Sequence, residues 1–307
     1  MSAAATATAL LATVPGATAL TLVTVACGRT ELHCRGTEFA GGPAVTGATG
    51  YELGSVTKTF TALLLAELAG TGEVGLDDPV SAHLPVPFDC TLHQLATHTS
   101  GLPRLPPGLL RSALPRWYRN PYADFTDARL LAAPARAGRP GRVRYSNYGA
   151  ALLGRALAER GGMPYAELLD RRVCRPLGLT GTGCTVEAPG RAVGHRRGRP
   201  LPPWRIPGLP GAGALRSTGL DLARYLDAHL APAGPLAAAL TAVRLPLLWQ
   251  HRRSLYFHSG ATRGCTAFLG FDPGRGTALA ALTNTGPTLR GRFVQTAYDA
   301  LRALPAT

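Results

Sequence analysis

Gly54-Ser55-Val56-Thr57-Lys58-Thr59-Phe60 holds the single lysine of a 307-residue chain, three positions after a serine, and every other basic residue is arginine. Where guanidinium serves as well as ammonium, this chain has guanidinium. Lysine is left where the exchange fails chemically, and proton transfer is such a place. Arginine stays charged, whereas a buried lysine amine gives up its proton near neutrality and works as a base. The other explanation is a lysine left by chance on a solvated helix face.

The surroundings favour chemistry. From Thr57 to Ala69 the sequence reads as an apolar helix that stops at Gly70, with Gly72 as a second breaker. Ser55 then lies at its first turn, and the i, i+3 spacing sets Ser55 and Lys58 on one face. The free N–H groups and dipole of a helix N-terminus favour an oxyanion there.

Before this segment, the Thr/Val/Leu-rich stretch Ala17 to Ala26 reads as a strand that turns at Gly28-Arg29 into Thr30 to Arg35, after a helix over Ala3 to Val14. After it, Gly72 to Pro87 reads as loop, Thr91 to His98 as the start of a helix, and Pro103 to Pro121 as a proline-rich connection. Helical periodicity marks Thr126 to Leu131, Tyr148 to Arg160, Pro164 to Arg172 and Ser217 to Leu230. Strands return at Ser254 to His258, Cys265 to Phe271 and Thr277 to Asn284, before a closing helix from Arg290 to Leu304. The expected fold is α/β (α+β): one antiparallel sheet flanked by helices, assembled from both ends of the chain, with helices inserted between. Residues 1–307 then form one catalytic domain. Residues 17–70 and 217–307 make the sheet subdomain and 71–216 a mostly helical one.

With 46% hydrophobic and 16% charged residues the chain is globular. Its net charge of +14 first suggests nucleic acid, but the arginines are scattered and no run alternates with stacking aromatics, so no nucleic-acid partner is expected. The dense clusters, His195-Arg196-Arg197-Gly198-Arg199 and His251-Arg252-Arg253, read as solvated loops or hairpins, or as a basic rim attracting an acidic substrate or carrier. Six irregularly spaced cysteines without CxxC or neighbouring histidines speak against zinc; they fit reduced thiols at least as well as disulfides. No metal or cofactor is expected. The first 28 residues lack lysine and arginine, and no apolar run reaches about 20 residues, so neither export nor membrane insertion is expected and the compartment read is cytoplasmic. Ala17-Thr18-Ala19, which could pass for a cleavage site, keeps secretion as the alternative.

Two further segments carry chemical groups: Arg144-Tyr145-Ser146-Asn147-Tyr148-Gly149 before a helix, and Phe257-His258-Ser259-Gly260 at a strand end. Singly, Tyr145 reads as a core ring, Asn147 as a helix cap and His258 as an ordinary strand residue. In this order after Ser-x-x-Lys they resemble the serine β-lactamase and penicillin-binding protein superfamily, on the branch of class C β-lactamases, DD-peptidases and related esterases. Leu95-Ala96-Thr97-His98-Thr99-Ser100-Gly101-Leu102 and Gly211 to Thr218 resemble the same branch.

The resemblance implies that Ser55 is the nucleophile, that Lys58 accepts or relays its proton and that Tyr145 carries it onward. Asn147 would bind a substrate amide or hold Lys58. His258 and Gly260 would flank the carbonyl, and the N–H groups of Ser55 and Ala261 would form the oxyanion hole. His258 stands where the β-lactamase motif has lysine, which points away from antibiotic hydrolysis. The expected activity is hydrolysis of a small ester, amide or peptide through an acyl-enzyme. The alternatives are acyl transfer, with an acidic acyl carrier protein as possible donor, and a non-catalytic penicillin-binding-like sensor.

Overall fold

A computed structural model describes residues 3–113, 120–133, 138–185, 190–244, 247–288 and 291–306. The strands are β1 (Ala19–Ala26), β2 (Arg29–Gly36), β3 (Gly50–Glu52), β4 (His195–Arg196), β5 (Arg199–Pro200), β6 (Arg216–Thr218), β7 (Gln250–Arg252), β8 (Leu255–Ala261), β9 (Thr266–Asp272) and β10 (Thr277–Thr283). Six of them form one antiparallel sheet in the order β2-β1-β10-β9-β8-β7. The first hairpin is fixed by its two-residue loop. Cys27 and Gly28 both have positive φ, 50° and 68°, the geometry whose twist matches that of the flanking strands.

Strands β9 and β10 are buried along their whole length, so both faces of the sheet are covered. The period of two sorts their side chains. Leu20, Leu22, Phe268, Leu279 and Ala281 face the terminal helices Ala3–Ala12 and Phe293–Ala303. Val23, Val25, Leu269, Phe271, Ala280 and Leu282 face the larger core, which holds the helix Thr57–Gly70. That helix is buried at 11 of its 14 residues, which is why its sequence is apolar all round rather than striped.

The proline-rich expectation over Pro103 to Pro121 falls partly on residues 114–119, and the start of the last helix on Arg290, both outside the described residues. The helix expected from Ser217 begins at Gly219 instead. Arg216, Ser217 and Thr218 pair with β3, because Thr218 caps the helix by accepting from the Asp221 N–H at 3.1 Å. The helix Ala237–Ala242 carries no strong stop signals and was not legible. Among the described residues no helix is long and apolar enough to cross a membrane.

His229 closes the core on the sheet's inner face, stacked on Phe271 at 4.8 Å with Tyr225 and Trp249 edge-on. Both ring nitrogens are buried without a hydrogen-bond partner among the described residues. Burial, helped by the Arg244 guanidinium, pushes its pKa down to about 3. The folded state therefore holds this ring neutral while the unfolded state protonates it below about 6.5. That contribution is fully present above pH 6.5 and is lost as pH falls toward 3. The expected outcome for His229→Phe is stability at pH 7 equal to or above wild type and a shallower loss between pH 6 and 4.5, by up to about 1.4 kcal/mol per pH unit. Urea unfolding at several pH values checks this; parallel pH profiles would contradict it.

Candidate active site

The serine sits on a strained turn. Gly54 has φ +51°, and a Cβ there would lie 2.5 Å from the Ala261 carbonyl oxygen, so the position admits only glycine. Ser55 follows in a 3₁₀ turn, Gly54–Val56, that runs directly into the helix Thr57–Gly70. Opposite it, β8 carries Gly260, where a Cβ would come within 1.9 Å of the Leu53 carbonyl oxygen. Two glycines thus let β8 and the serine turn touch backbone to backbone.

Lys58 is fully buried one helical turn on. Its Nζ donates to the Ala212 carbonyl at 2.7 Å and to Ser55 Oγ at 3.1 Å. Tyr145 reaches the same oxygen from the other side, its phenol donating to Ser55 Oγ at 2.9 Å. The segment carrying Tyr145 is held by the loop before it. The Arg144 N–H donates to the His98 carbonyl at 2.7 Å, the Ser146 N–H to His98 Nδ1 at 3.2 Å, and Ser146 Oγ to the Pro103 carbonyl at 2.6 Å. Since His98 Nδ1 accepts, its proton is on Nε2, and the ring packs 4.7 Å from that of Tyr145. His98 thus orients Tyr145 rather than Ser55, whose hydroxyl is taken by Lys58 and Tyr145.

Burial pushes the Lys58 amine below the ordinary lysine value; the Tyr145 phenol opposes this and Arg104 adds to the lowering. For Tyr145, burial alone would raise the phenol, but the Lys58 charge, its hydrogen bonds and Arg104 outweigh it and the net direction is down. Amine and phenol therefore move toward each other in acidity, a pair between which one proton passes easily.

His258 is buried beside them, its ring 6.3 Å from that of Tyr145. Its Nδ1 lies 2.7 Å from the Ser259 carbonyl, which only accepts, so Nδ1 carries the proton and Nε2 keeps its lone pair. Burial and then the Lys58 charge push its pKa down to about 3, so the ring is neutral at pH 7. Ser146, rather than Asn147, caps the helix Asn147–Arg160, accepting from the Gly149 N–H at 2.8 Å. That frees the Asn147 amide. It lines the same cavity as Tyr122, and among the described residues its buried Oδ1 has no hydrogen-bond partner.

Ser55, Tyr145, Asn147, His258, Gly260 and Ala261 all line one cavity of about 1190 Å³, and Lys58 lies behind its floor. Arg104, Tyr122, Trp204 and Arg263 line it too and were missed as site residues, and Arg196, of the cluster read as a solvated hairpin or a basic rim, joins them. Arg104 had a signal: it follows the Ser100-Gly101-Leu102-Pro103 turn, and its carbonyl accepts from the Asn147 N–H at 2.9 Å. Its guanidinium lies 5.1 Å from the Tyr145 ring centre.

A model of the Beta-lactamase family matches residues 4–304. The chain is 33% identical over 196 residues to the D-alanyl-D-alanine-carboxypeptidase/endopeptidase AmpH of Escherichia coli (strain K12), covering 58% of this chain and 48% of that protein. It is 31% identical over 294 residues to penicillin-binding protein 4 of Amycolatopsis lactamdurans, covering 80% of this chain and 74% of the other. The solved D-alanine carboxypeptidase AmpC from Burkholderia cenocepacia superposes with a TM-score of 0.79 at 25% identity, over 98% of this chain and 99% of that one. The alignment with AmpH spans about half of that relative's length.

Gly260→Ala forces the Leu53–Val56 backbone away from β8, and the expected loss is about 3 kcal/mol, since the new methyl meets the backbone atoms of Leu53, Ser55 and Val56 rather than flexible side chains. Gly70→Ala, where a Cβ meets nothing within 4 Å, leaves stability unchanged or slightly raised. Thermal unfolding of both variants checks the contrast; equal effects would contradict the backbone contact.

Proposed function

The chain belongs to the beta-lactamase family, and on that footing we propose that it is a serine hydrolase cleaving a small ester, amide or peptide bond through an acyl-enzyme on Ser55. The observation that carries this reading is the convergence of Lys58 Nζ and the Tyr145 phenol on one hydroxyl, at 3.1 and 2.9 Å. Ser55 Oγ attacks the carbonyl carbon while its proton passes to the Lys58–Tyr145 pair, as neutral amine or as phenolate. The carbonyl oxygen becomes an oxyanion facing the N–H groups of Ser55 and Ala261, each such donor being worth about 10²–10³ in rate. Tyr145 then gives the proton to the leaving group, whose bond to the acyl carbon breaks. Water enters by the same route in reverse: the pair takes its proton, its oxygen joins the acyl carbon, and Ser55 leaves with the proton returned. Water is the acyl acceptor in this reading.

The names of the relatives bring D-alanyl-D-alanine peptides and β-lactams forward as substrate classes. His258, neutral at pH 7, offers no positive charge to a carboxylate beside β8. We therefore place esters, and peptides without a free carboxylate next to the scissile bond, ahead of β-lactams.

In a test with p-nitrophenyl butyrate, wild type releases p-nitrophenol and shows an acyl adduct by intact mass, and Ser55→Ala shows neither. Equal behaviour of the two proteins would sink the reading. Lys58→Arg keeps the charge and loses the acceptor, so acylation falls about 10²–10⁴-fold while thermal stability stays measurable as a folded transition. Tyr145→Phe lowers kcat more than it raises KM.

A further inference from the structure

The residues lining the cavity fall into two contact groups around Ser55, here called its arms, and one of them carries charge that the proposed chemistry leaves unused. The arm beside Tyr145 holds His98, Leu248, Trp249 and His258; Tyr145 delivers its proton there, so the leaving group occupies it. The arm beyond Asn147 is lined by Tyr122, Trp204, Thr262, Arg196 and Arg263, and it receives the acyl part of the substrate. No aspartate or glutamate lines either arm among the described residues.

The two arginines are brought together by backbone, not by chance flexibility. The His195 N–H donates to the Gly264 carbonyl at 3.0 Å and to the Asn284 carbonyl at 2.8 Å, and the Gly286 N–H donates to the His195 carbonyl at 3.0 Å. A Cβ on Gly194 would lie 2.9 Å from Gly264 Cα, and one on Gly286 would lie 2.0 Å from the Arg263 carbonyl oxygen. The buried Asn284 amide fixes the same strand by donating to the Val193 carbonyl at 2.9 Å. Arg196, at the end of β4, thereby stands next to Arg263, just beyond β8. Arg196 Nη1 is buried without a hydrogen-bond partner among the described residues. The acid beneath this wall, Glu52, is already taken up: it accepts from Thr262 Oγ1 at 2.6 Å, from the Trp204 N–H at 2.7 Å and from Arg216 Nη2 at 3.4 Å. Burial first, and then the charge of Arg196, lowers the Arg263 guanidinium below its ordinary value, so the neighbouring guanidinium adds to the effect of burial.

Two cations held together at a cavity wall, one with a buried donor unfilled, are matched by an anion. We propose that Arg196 and Arg263 form a carboxylate-binding subsite for the acyl part of the substrate, so that the enzyme selects acyl groups ending in a carboxylate away from the scissile carbonyl. This rests on the acyl-enzyme reading at Ser55, and it names the substrate class that reading leaves open. A carboxylate there offsets the repulsion between the two guanidinium groups.

The test compares the p-nitrophenyl monoester of glutaric acid with p-nitrophenyl pentanoate, its neutral counterpart of equal chain length. Wild type is expected to favour the anionic ester at least about 10-fold in kcat/KM, the range of a charge-assisted hydrogen bond, and to lose that preference in high salt. Arg196→Gln and Arg263→Gln each remove the preference, bringing the glutarate ester down toward the pentanoate ester. Equal rates for the two esters in wild type overturn the proposal, and so does a loss confined to Arg104→Gln, which would move the anion to the Tyr145 side. A binding arm needs no turnover: calorimetry of monomethyl glutarate against dimethyl glutarate with the Ser55→Ala protein. Absence of turnover with intact selective binding defeats the acyl-enzyme reading alone; absence of selective binding defeats the subsite.

Discussion

A lysine amine cut off from solvent must find its partners within the protein, and the arrangement of this site follows from that requirement. Burying a bare ammonium is costly enough that the group sheds its proton unless partners hold it. Lys58 has a carbonyl from Ala212, a hydroxyl from Ser55 and the neighbouring acidified phenol of Tyr145. No carboxylate is among the groups that shift it. A carboxylate would lock the amine as a cation and end its use as a base. A phenol lets one proton move between the two groups, and each has Ser55 Oγ within hydrogen-bond reach. Arginine could keep the contacts and would lose the exchange.

The same positional device appears twice. At the serine turn, Gly54 and Gly260 allow β8 to lie against Leu53–Val56, which brings the backbone of Gly260 and Ala261 against that of Gly54 and Ser55. At the far arm, Gly194, Gly264 and Gly286 allow β4 to lie against the chain leaving β8, so that Arg196 and Arg263 share a wall. In both places the contact is backbone to backbone, which flexible side chains cannot relax. Both depend on β8 being held in register up to Ala261, and the β10-β9-β8 ladder supplies that. The loop holding Tyr145 is the third fixed element, tied through both the carbonyl and the ring of His98.

Much of this was legible because the signals are local. The β1–β2 hairpin, the apolar helix after Ser55 and the late run of strands announce themselves through period, branching and glycine. Ser55, Lys58, Tyr145, Asn147 and His258 were visible as ordered motifs, and their convergence could be expected through resemblance. What could not be read depends on contacts distant in sequence. Ser217 has a helical neighbourhood but pairs with Tyr51, a partner no local pattern reveals. Asn147 has the residue type of a cap, yet Ser146 takes that place because its hydroxyl also reaches the Pro103 carbonyl. The cluster around Arg196 has the composition of a solvated hairpin, and it does form one, β4–β5, with Arg197 and Gly198 at positive φ. Its inward-facing arginine is set by Gly264 and Asn284, far along the chain.

Because the chain has one lysine, the acidity of the buried amine is directly measurable. Protein labelled with ¹⁵Nζ-lysine carries one side-chain ammonium signal, that of Lys58, and its shift followed against pH gives the acidity of the amine in place. The expected midpoint lies well below the ordinary lysine value of about 10.4. A further drop is expected in Tyr145→Phe, because the phenol is the group that holds the charge on the amine. A midpoint at the ordinary value, unmoved by Tyr145→Phe, would contradict the proton exchange and leave Ser55 without its acceptor.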